Sequence, residues 1–275
     1  MAQITAAEVS KLRKVTGAGM MDCKKALQES DGNFDKAIEI IRKKGQAIAN
    51  KRADKLAGEG VVLAKISEDA TRGALIVLNC ETDFVAKNEN FVKFAESILD
   101  KAILELPDNI QNLKQLEVEG KPIADKIIEQ MGIIGEKLNL TYYDKIESKH
   151  VIPYIHPGNK LATLVGFNKV TDIQAAKDVA MQVAAMNPIA IDIDDVPREV
   201  IEKEKEIGRE QAKREGKPEN ILDKIAEGKL NKFYKDSTLL NQEFTKDSKK
   251  TIRQYLSGVD NELEITDFRR YSLND

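Results

Sequence analysis

The sequence predicts an α+β protein, and three observations carry that expectation. Two separate pairs of short apolar runs are each followed by apolar residues at a 3.6-residue period, as a strand hairpin followed by a helix requires. Three short helical patterns precede them, and a highly charged helical stretch interrupts the last third. The chain has 275 residues, of which 32% are charged, 5% are aromatic and none is Trp. That balance favours exposed helical faces over one large interior and predicts an elongated molecule of two or three modest domains.

Thr5-Ala6-Ala7-Glu8 is a capping box that starts the first helix. Val9, Leu12 and Val15 form its apolar stripe, and Gly17-Ala18-Gly19 ends it. A second helix is expected from about Met21 to Ser30, and Asp31-Gly32-Asn33 breaks the chain before a third, with Phe34, Ala37, Ile38 and Ile41 at helical spacing. Residues 1–55 are thus read as a three-helix domain resembling ubiquitin-associated domains. The Lys-, Ala- and Gly-rich stretch from Lys43 to Gly60 is read as the connection onward.

A weak internal duplication follows. The first unit, residues 56–148, runs Gly60 to Ile66, a polar turn, Gly73 to Leu78, a loop, and a helix from about Asn88 with Phe91, Phe94, Ala95, Ile98, Leu99 and Ala102 in register. Leu138 to Ile146 offers a further strand. The second unit, residues 149–196 with 236–275, runs Val151 to His156, a Pro157-Gly158-Asn159 turn, Leu161 to Phe167, and a helix carrying Ala175, Ala176, Val179, Ala180, Val183 and Ala184. Each unit is expected to be an antiparallel sheet covered on one face by helices. Residues 197–235 read as a protruding helical hairpin, because the stripes Val200, Ile207, Ala212 and Ile221, Leu222, Ile225, Leu230 are too narrow to bury both helices. Gly216-Lys217-Pro218 separates them.

Charge and composition exclude several classes. A net charge of −3 lacks the basic footprint of a non-specific nucleic-acid binder, so no direct nucleic-acid partner is expected. Residues 11–55 hold twelve Lys or Arg against six Asp or Glu, a local +6 that is either a solvated face or a device for steering toward an acidic protein. The only cysteines, Cys23 and Cys80, sit inside element patterns and suit a reducing compartment as core thiols. No apolar signal region begins the chain and no run approaches a membrane span, so no membrane association and a cytoplasmic location are expected.

No chemistry of its own is expected either. There is no Gly-x-x-x-x-Gly-Lys-Ser/Thr loop to cradle phosphates, and Gly17-Ala18-Gly19 follows a helix where a dinucleotide fingerprint would follow a strand. His150 and His156 cannot build a zinc site with two distant cysteines, and no nucleophile motif is present. Acid pairs such as Asp194-Asp195 read as surface charge. The chain is therefore expected to be no enzyme, with no cofactor and no metal.

The most informative segment is Ile76-Val77-Leu78-Asn79-Cys80-Glu81-Thr82-Asp83-Phe84-Val85. An acid and an aromatic stand side by side where an apolar strand gives way to a loop. Thr82 and Asp83 can be turn formers with Phe84 tucked under the next helix as a staple, or the pair can be a probe displayed to a partner.

A second segment, Thr16-Gly17-Ala18-Gly19-Met20-Met21-Asp22-Cys23-Lys24-Lys25-Ala26-Leu27, together with Thr82-Asp83-Phe84-Val85, resembles bacterial elongation factor Ts. The likeness extends through Tyr154-Ile155-His156 and Ser237-Thr238-Leu239-Leu240-Asn241-Gln242-Glu243-Phe244. The resemblance implies a guanine-nucleotide exchange factor in translation elongation, with elongation factor Tu, GDP-bound and nucleotide-free, as partner. It implies that Thr82, Asp83, Phe84 and Val85 push on the partner near its Mg²⁺ site and that His156 presses near its phosphate loop. It further implies that Leu12, Arg13, Met20 and Met21 dock on a helix of the GTPase domain. Of the adjacent Met residues, one is expected to pack inward. The charged hairpin corresponds to a coiled-coil arm that in some members supports a homodimer. Two departures are visible. Ala162 stands where the family commonly has Gly, and Leu263 to Tyr271 runs nearly to the chain end where many bacterial members continue into a helical module. The rival from the residues alone is an adaptor whose three-helix domain captures a helical peptide.

Overall fold

The computed structural model describes residues 4–274. Met1 to Gln3, on which part of the reading of the N-terminus fell, and Asp275 lie outside them. The chain is a mixed helix-and-sheet protein, as the sequence predicts.

Helices α1 (Ala6–Thr16), α2 (Met20–Glu29) and α3 (Phe34–Lys51) come first. Both halves of the expected capping box form: Glu8 N donates to Thr5 Oγ1 at 3.3 Å and Thr5 N donates to Glu8 Oε2 at 2.8 Å. Gly17 closes α1 in the left-handed conformation at φ 69°, a geometry that costs other residues a Cβ clash. Val9, Leu12, Cys23, Ala26, Leu27 and Ala37 meet as a small core.

The stretch from Lys43 onward is a correction. It is not a connection, because α3 continues to Lys51 and leaves only a short segment before the first strand. Lys, Gln and Ala are good helix formers, and Gly45 has a packing reason to sit among them. A Cβ on Gly132 would lie 2.7 Å from the Gly45 Cα, so the two glycines let α3 approach a later helix, Ile123–Ile134, backbone to backbone.

Strands β1 (Glu59–Ile66) and β2 (Arg72–Cys80) form an antiparallel hairpin. After them come α4 (Asp83–Ala86), α5 (Glu89–Glu105), α6 (Ile110–Gln115), the two-residue strands β3 (Glu117–Val118) and β4 (Lys121–Pro122), α7 (Ile123–Ile134) and β5 (Asn139–Glu147). The next hairpin is β6 (His150–Ile155) with β7 (Leu161–Phe167), followed by α8 (Ile173–Met186). Helices α9 (Arg198–Arg214) and α10 (Leu222–Ser237) form the charged hairpin. Strands β8 (Glu243–Phe244) and β9 (Asp247–Thr251), helix α11 (Ile252–Val259) and strand β10 (Ile265–Ser272) complete the chain.

The sheets run β1-β2-β5 and β6-β7-β10, so each hairpin receives a third strand beside its second member. Each sheet bears helices on one face, but its other face is not solvated. Val62, Ala64, Leu75, Val77 and Ile146 of the first sheet pack on Val151, Ala162 and Leu164 of the second. The opposite faces carry Val61, Leu63, Ile76 and Leu78 against α5, and Ile152, Val165 and Phe167 against α8 and α11. Helices thus cover one face of each sheet, as expected, and the remaining two faces pack on each other. Burial on both faces explains why β1 and β2 read as continuous apolar runs rather than alternating ones.

In the charged hairpin, α9 packs chiefly on α10. The contact uses small residues: Gly208, Ala212 and Ala226 are buried with Leu222 and Leu230, and a Cβ on Gly208 would stand 3.3 Å from the Ala226 Cα. Ion pairs such as Arg209–Asp223 at 3.3 Å flank it.

Candidate functional site

β2 ends at Cys80, and within three residues the backbone turns into α4, a single helical turn with Thr82 as N-cap. The Thr82 hydroxyl accepts from Val85 N at 3.5 Å and donates to Glu136 Oε1 at 2.6 Å. Glu136 Oε2 accepts from the Glu81 and Thr82 backbone amides at 3.1 and 3.0 Å. Val85 is half-buried against the first core, and Ala86 is buried. The turn is thus anchored from below at both ends.

Phe84 points the other way. Of the eight phenylalanines it alone is exposed, at 83%. It is no staple beneath α5. Beside it, Asp83 pairs with Lys87 at 2.7 Å. That hydrogen bond, aided by the more distant Lys160, holds the Asp83 carboxyl below the usual range, and the same bond pushes Lys87 up. The pair is exposed, so another partner can replace either member cheaply.

Lys160 belongs to the turn joining β6 and β7, which stands on the same side. Lys160 pairs with Glu59 at 2.8 Å, and Val62 N donates to Asn159 O at 2.7 Å, so this turn is pinned to β1. Gly158 and Asn159 take positive φ, 92° and 57°. His156 lies exposed at the start of the turn, with Nδ1 2.9 Å from the Tyr154 hydroxyl. The structure therefore brings His156 and the Asp83-Phe84 turn to one side of the two sheets.

The N-terminal candidates divide. Arg13 is exposed, and Met20 and Met21 are exposed at 56% and 64%. The expectation that one Met packs inward is corrected. α2 buries Cys23, Ala26 and Leu27, and both thioethers precede that stripe in the first turn. Leu12 is also corrected as a contact: it is fully buried among α1, α2 and α3, where it packs the core rather than offering a surface.

Glu136 and Arg52 were missed by sequence reasoning. Arg52 caps α3 and gives Nη1 to both oxygens of Glu81 at 2.8 and 2.7 Å, while Lys137 N donates to Glu81 Oε1 at 2.6 Å. The Lys137 bond first, then the Arg52 guanidinium, hold the Glu81 carboxyl below its ordinary value. Partners 29 and 54 residues apart leave no local pattern. Cys80, buried beneath the turn, has its thiol pushed up to about 12 by burial, so it stays protonated and unreactive. Among the described residues no cluster of His, Cys, Asp and Glu could hold a metal, and no helix is long and apolar enough to cross a membrane.

These features define an α+β protein that presents an aromatic on a fastened turn, beside a second turn bearing an exposed histidine. The family model described as "Elongation factor TS" matches residues 81–275. The chain is 52% identical over 270 residues to elongation factor Ts of Amoebophilus asiaticus, covering 97% of this chain and 98% of the relative. It is 50% identical to that of Christiangramia forsetii over 275 residues, 99% and 100% of the two chains, and 50% identical to that of Porphyromonas gingivalis over 272 residues, 98% of each. The chain belongs to the elongation factor Ts family, a family of nucleotide exchange factors in translation elongation.

Proposed function

We propose that the chain binds elongation factor Tu, in GDP-bound and nucleotide-free forms, and promotes GDP release by disturbing the partner's Mg²⁺ and phosphate-loop region. The observation that carries the reading is Phe84, exposed at 83% on a turn whose backbone and N-cap are held by Glu136. An apolar ring on a fixed base can enter between packed elements without first paying to order its own support.

GDP in a GTPase is held by backbone amides and by Mg²⁺, whose octahedral oxygen shell tolerates little distortion. In this reading Phe84 inserts as a wedge, Asp83 leaves Lys87 to compete for hydrogen bonds around the metal, and Thr82 and Val85 keep the turn in place. His156 presses on the phosphate-loop side. Arg13, Met20 and Met21 form the docking surface of the N-terminal helices, with Leu12 supporting it from within. The proposal divides the chain into a ubiquitin-associated-like domain at 1–55, core subdomains at 56–148 and at 149–196 with 236–275, and an arm at 197–235 available for a homodimer. It needs no cofactor, catalyses no covalent step, and acts in the cytoplasm without direct nucleic-acid or membrane contact.

Exchange follows if the factor binds the nucleotide-free partner more tightly than the loaded one. Linkage then requires GDP to weaken the factor's binding by the same ratio, tenfold for each ~1.4 kcal/mol. The test is release of a fluorescent GDP analogue from elongation factor Tu of the same organism, alongside the factor's affinity with and without GDP. Acceleration together with weaker binding in GDP supports the reading. Binding without acceleration, indifferent to GDP, would make the chain an adaptor.

A further inference from the structure

Beneath the Phe84 turn lies a charged cluster that joins three distant parts of the chain. Gly135, at φ 80°, ends α7 and delivers Glu136 and Lys137 side by side. Glu136 takes the Glu81 amide, the Thr82 amide and the Thr82 hydroxyl, at 3.1, 3.0 and 2.6 Å. One residue earlier in the turn, Glu81 takes the Lys137 amide and the Arg52 guanidinium at the end of α3. Lys137 Nζ in turn donates to the Lys55 carbonyl at 2.9 Å and to that of Ala53. The Gly45–Gly132 approach then seats α3 on α7. The three-helix unit whose α2 carries Met20 and Met21, seated through α3, and the turn carrying Phe84 therefore share one base.

We propose that Glu136 and Arg52 are positioning residues for exchange: Glu136 holds the Phe84 turn in its projecting conformation, and the Arg52–Glu81 pair ties that conformation to the seat of the N-terminal helices. The inference rests on the exchange reading above. Charge-assisted bonds to backbone amides are stronger than neutral ones and fix direction as well as distance. A loose turn would let the ring swing aside instead of transmitting force to the partner.

The experiment uses the full chain with Glu136→Ala, Glu136→Gln, Arg52→Ala and Arg52→Lys. GDP release is measured against factor concentration, so that the maximum rate separates from the half-saturating concentration. Glu136→Ala is expected to lower the maximum rate about tenfold while moving half-saturation less than about threefold, because docking surfaces are untouched. Glu136→Gln, which keeps an oxygen for the two amides, should recover part of the loss. Arg52→Ala should show a smaller loss of the same kind that Arg52→Lys only partly repairs, since an ammonium lacks the guanidinium fork.

Two further readouts separate positioning from general stability. Amide hydrogen exchange in residues 82–86 should quicken at least about tenfold in Glu136→Ala while the strands of both sheets keep their protection. In a Phe84→Ala background, Glu136→Ala should slow release by no more than about twofold, because the residue acts through the ring. Unchanged turn protection with a wild-type maximum rate would overturn the inference, as would loss of protection throughout both sheets. Failure of the wild-type chain to accelerate release would overturn the exchange reading and the inference with it. Variants that keep the wild-type maximum rate, with wild-type acceleration intact, would overturn only the inference.

Discussion

The turn after β2 and the turn between β6 and β7 stand on the same side of the molecule but are held in different ways. The first, carrying Phe84, is fastened by the carboxylates of Glu81 and Glu136 to two helix ends. The second, carrying His156, rests mainly on backbone bonds, His156 N to Leu161 O at 2.8 Å, Asn159 N to His156 O at 3.0 Å and Val62 N to Asn159 O at 2.7 Å, with the Lys160–Glu59 ion pair at 2.8 Å beside them. Its histidine has the Tyr154 hydroxyl as side-chain neighbour. Charge-assisted bonds to two helix ends fix the direction of the first turn as well as its distance, which neutral backbone bonds do less strongly. On the exchange reading proposed above, this difference would give the pushing role to the first turn and a following role to the second.

The sharpest way to break that assignment is to remove both side chains. Phe84→Ala with His156→Ala is expected to cut the maximum GDP-release rate about a hundredfold, most of it from Phe84, with the two losses multiplying because the sites share no partners. Equal single effects would abolish the distinction. Next in size, Met20→Glu with Met21→Glu should raise the half-saturating concentration about tenfold with an unchanged maximum rate. Circular dichroism should remain as in wild type, because both side chains are exposed. A parallel loss of helicity would return them to the core.

His156→Ala alone is expected to lower the maximum rate only about threefold, a value of the order of one lost surface contact. The smallest effect is on pH. The Glu81 carboxyl is depressed in the folded chain by the Lys137 amide and Arg52. Its contribution is therefore fully present above the ordinary glutamate value, ~4.3, and is lost as pH falls through the lower folded value. Amide protection of residues 81–86, corrected for intrinsic exchange, should drop in that acid range before the β6–β7 turn loses any. Simultaneous loss in both turns would show that the clamp adds nothing of its own.

Much of this architecture was legible because it is local. Thr5 with Glu8, Gly17 after α1, Asn33 and Asn88 as caps, and the apolar spacing of α5 and α8 all act within a few residues. Stacking of the two sheets was legible in principle, since unbroken runs such as Val61-Val62-Leu63-Ala64 require burial on both faces. The length of α3 was hidden by Gly45, which resembles a breaker until Gly132 is seen opposite it. The Thr82-Asp83-Phe84-Val85 segment stood out, but its residues fit a tucked staple as well as a displayed ring. The choice depends on Glu136, Lys137 and Arg52, which reach the turn only through the fold. Met20 and Met21 misled for a related reason: the buried stripe of α2 begins only at Cys23.

The central claim, that a fastened Phe84 drives release, is tested most directly by Phe84→Ala. Release of a fluorescent GDP analogue from elongation factor Tu of the same organism would be followed as wild-type or variant chain is titrated in. The account predicts that the variant reaches a maximum rate about thirtyfold below wild type with half-saturation within about threefold of it. A variant that matches the wild-type maximum would contradict it.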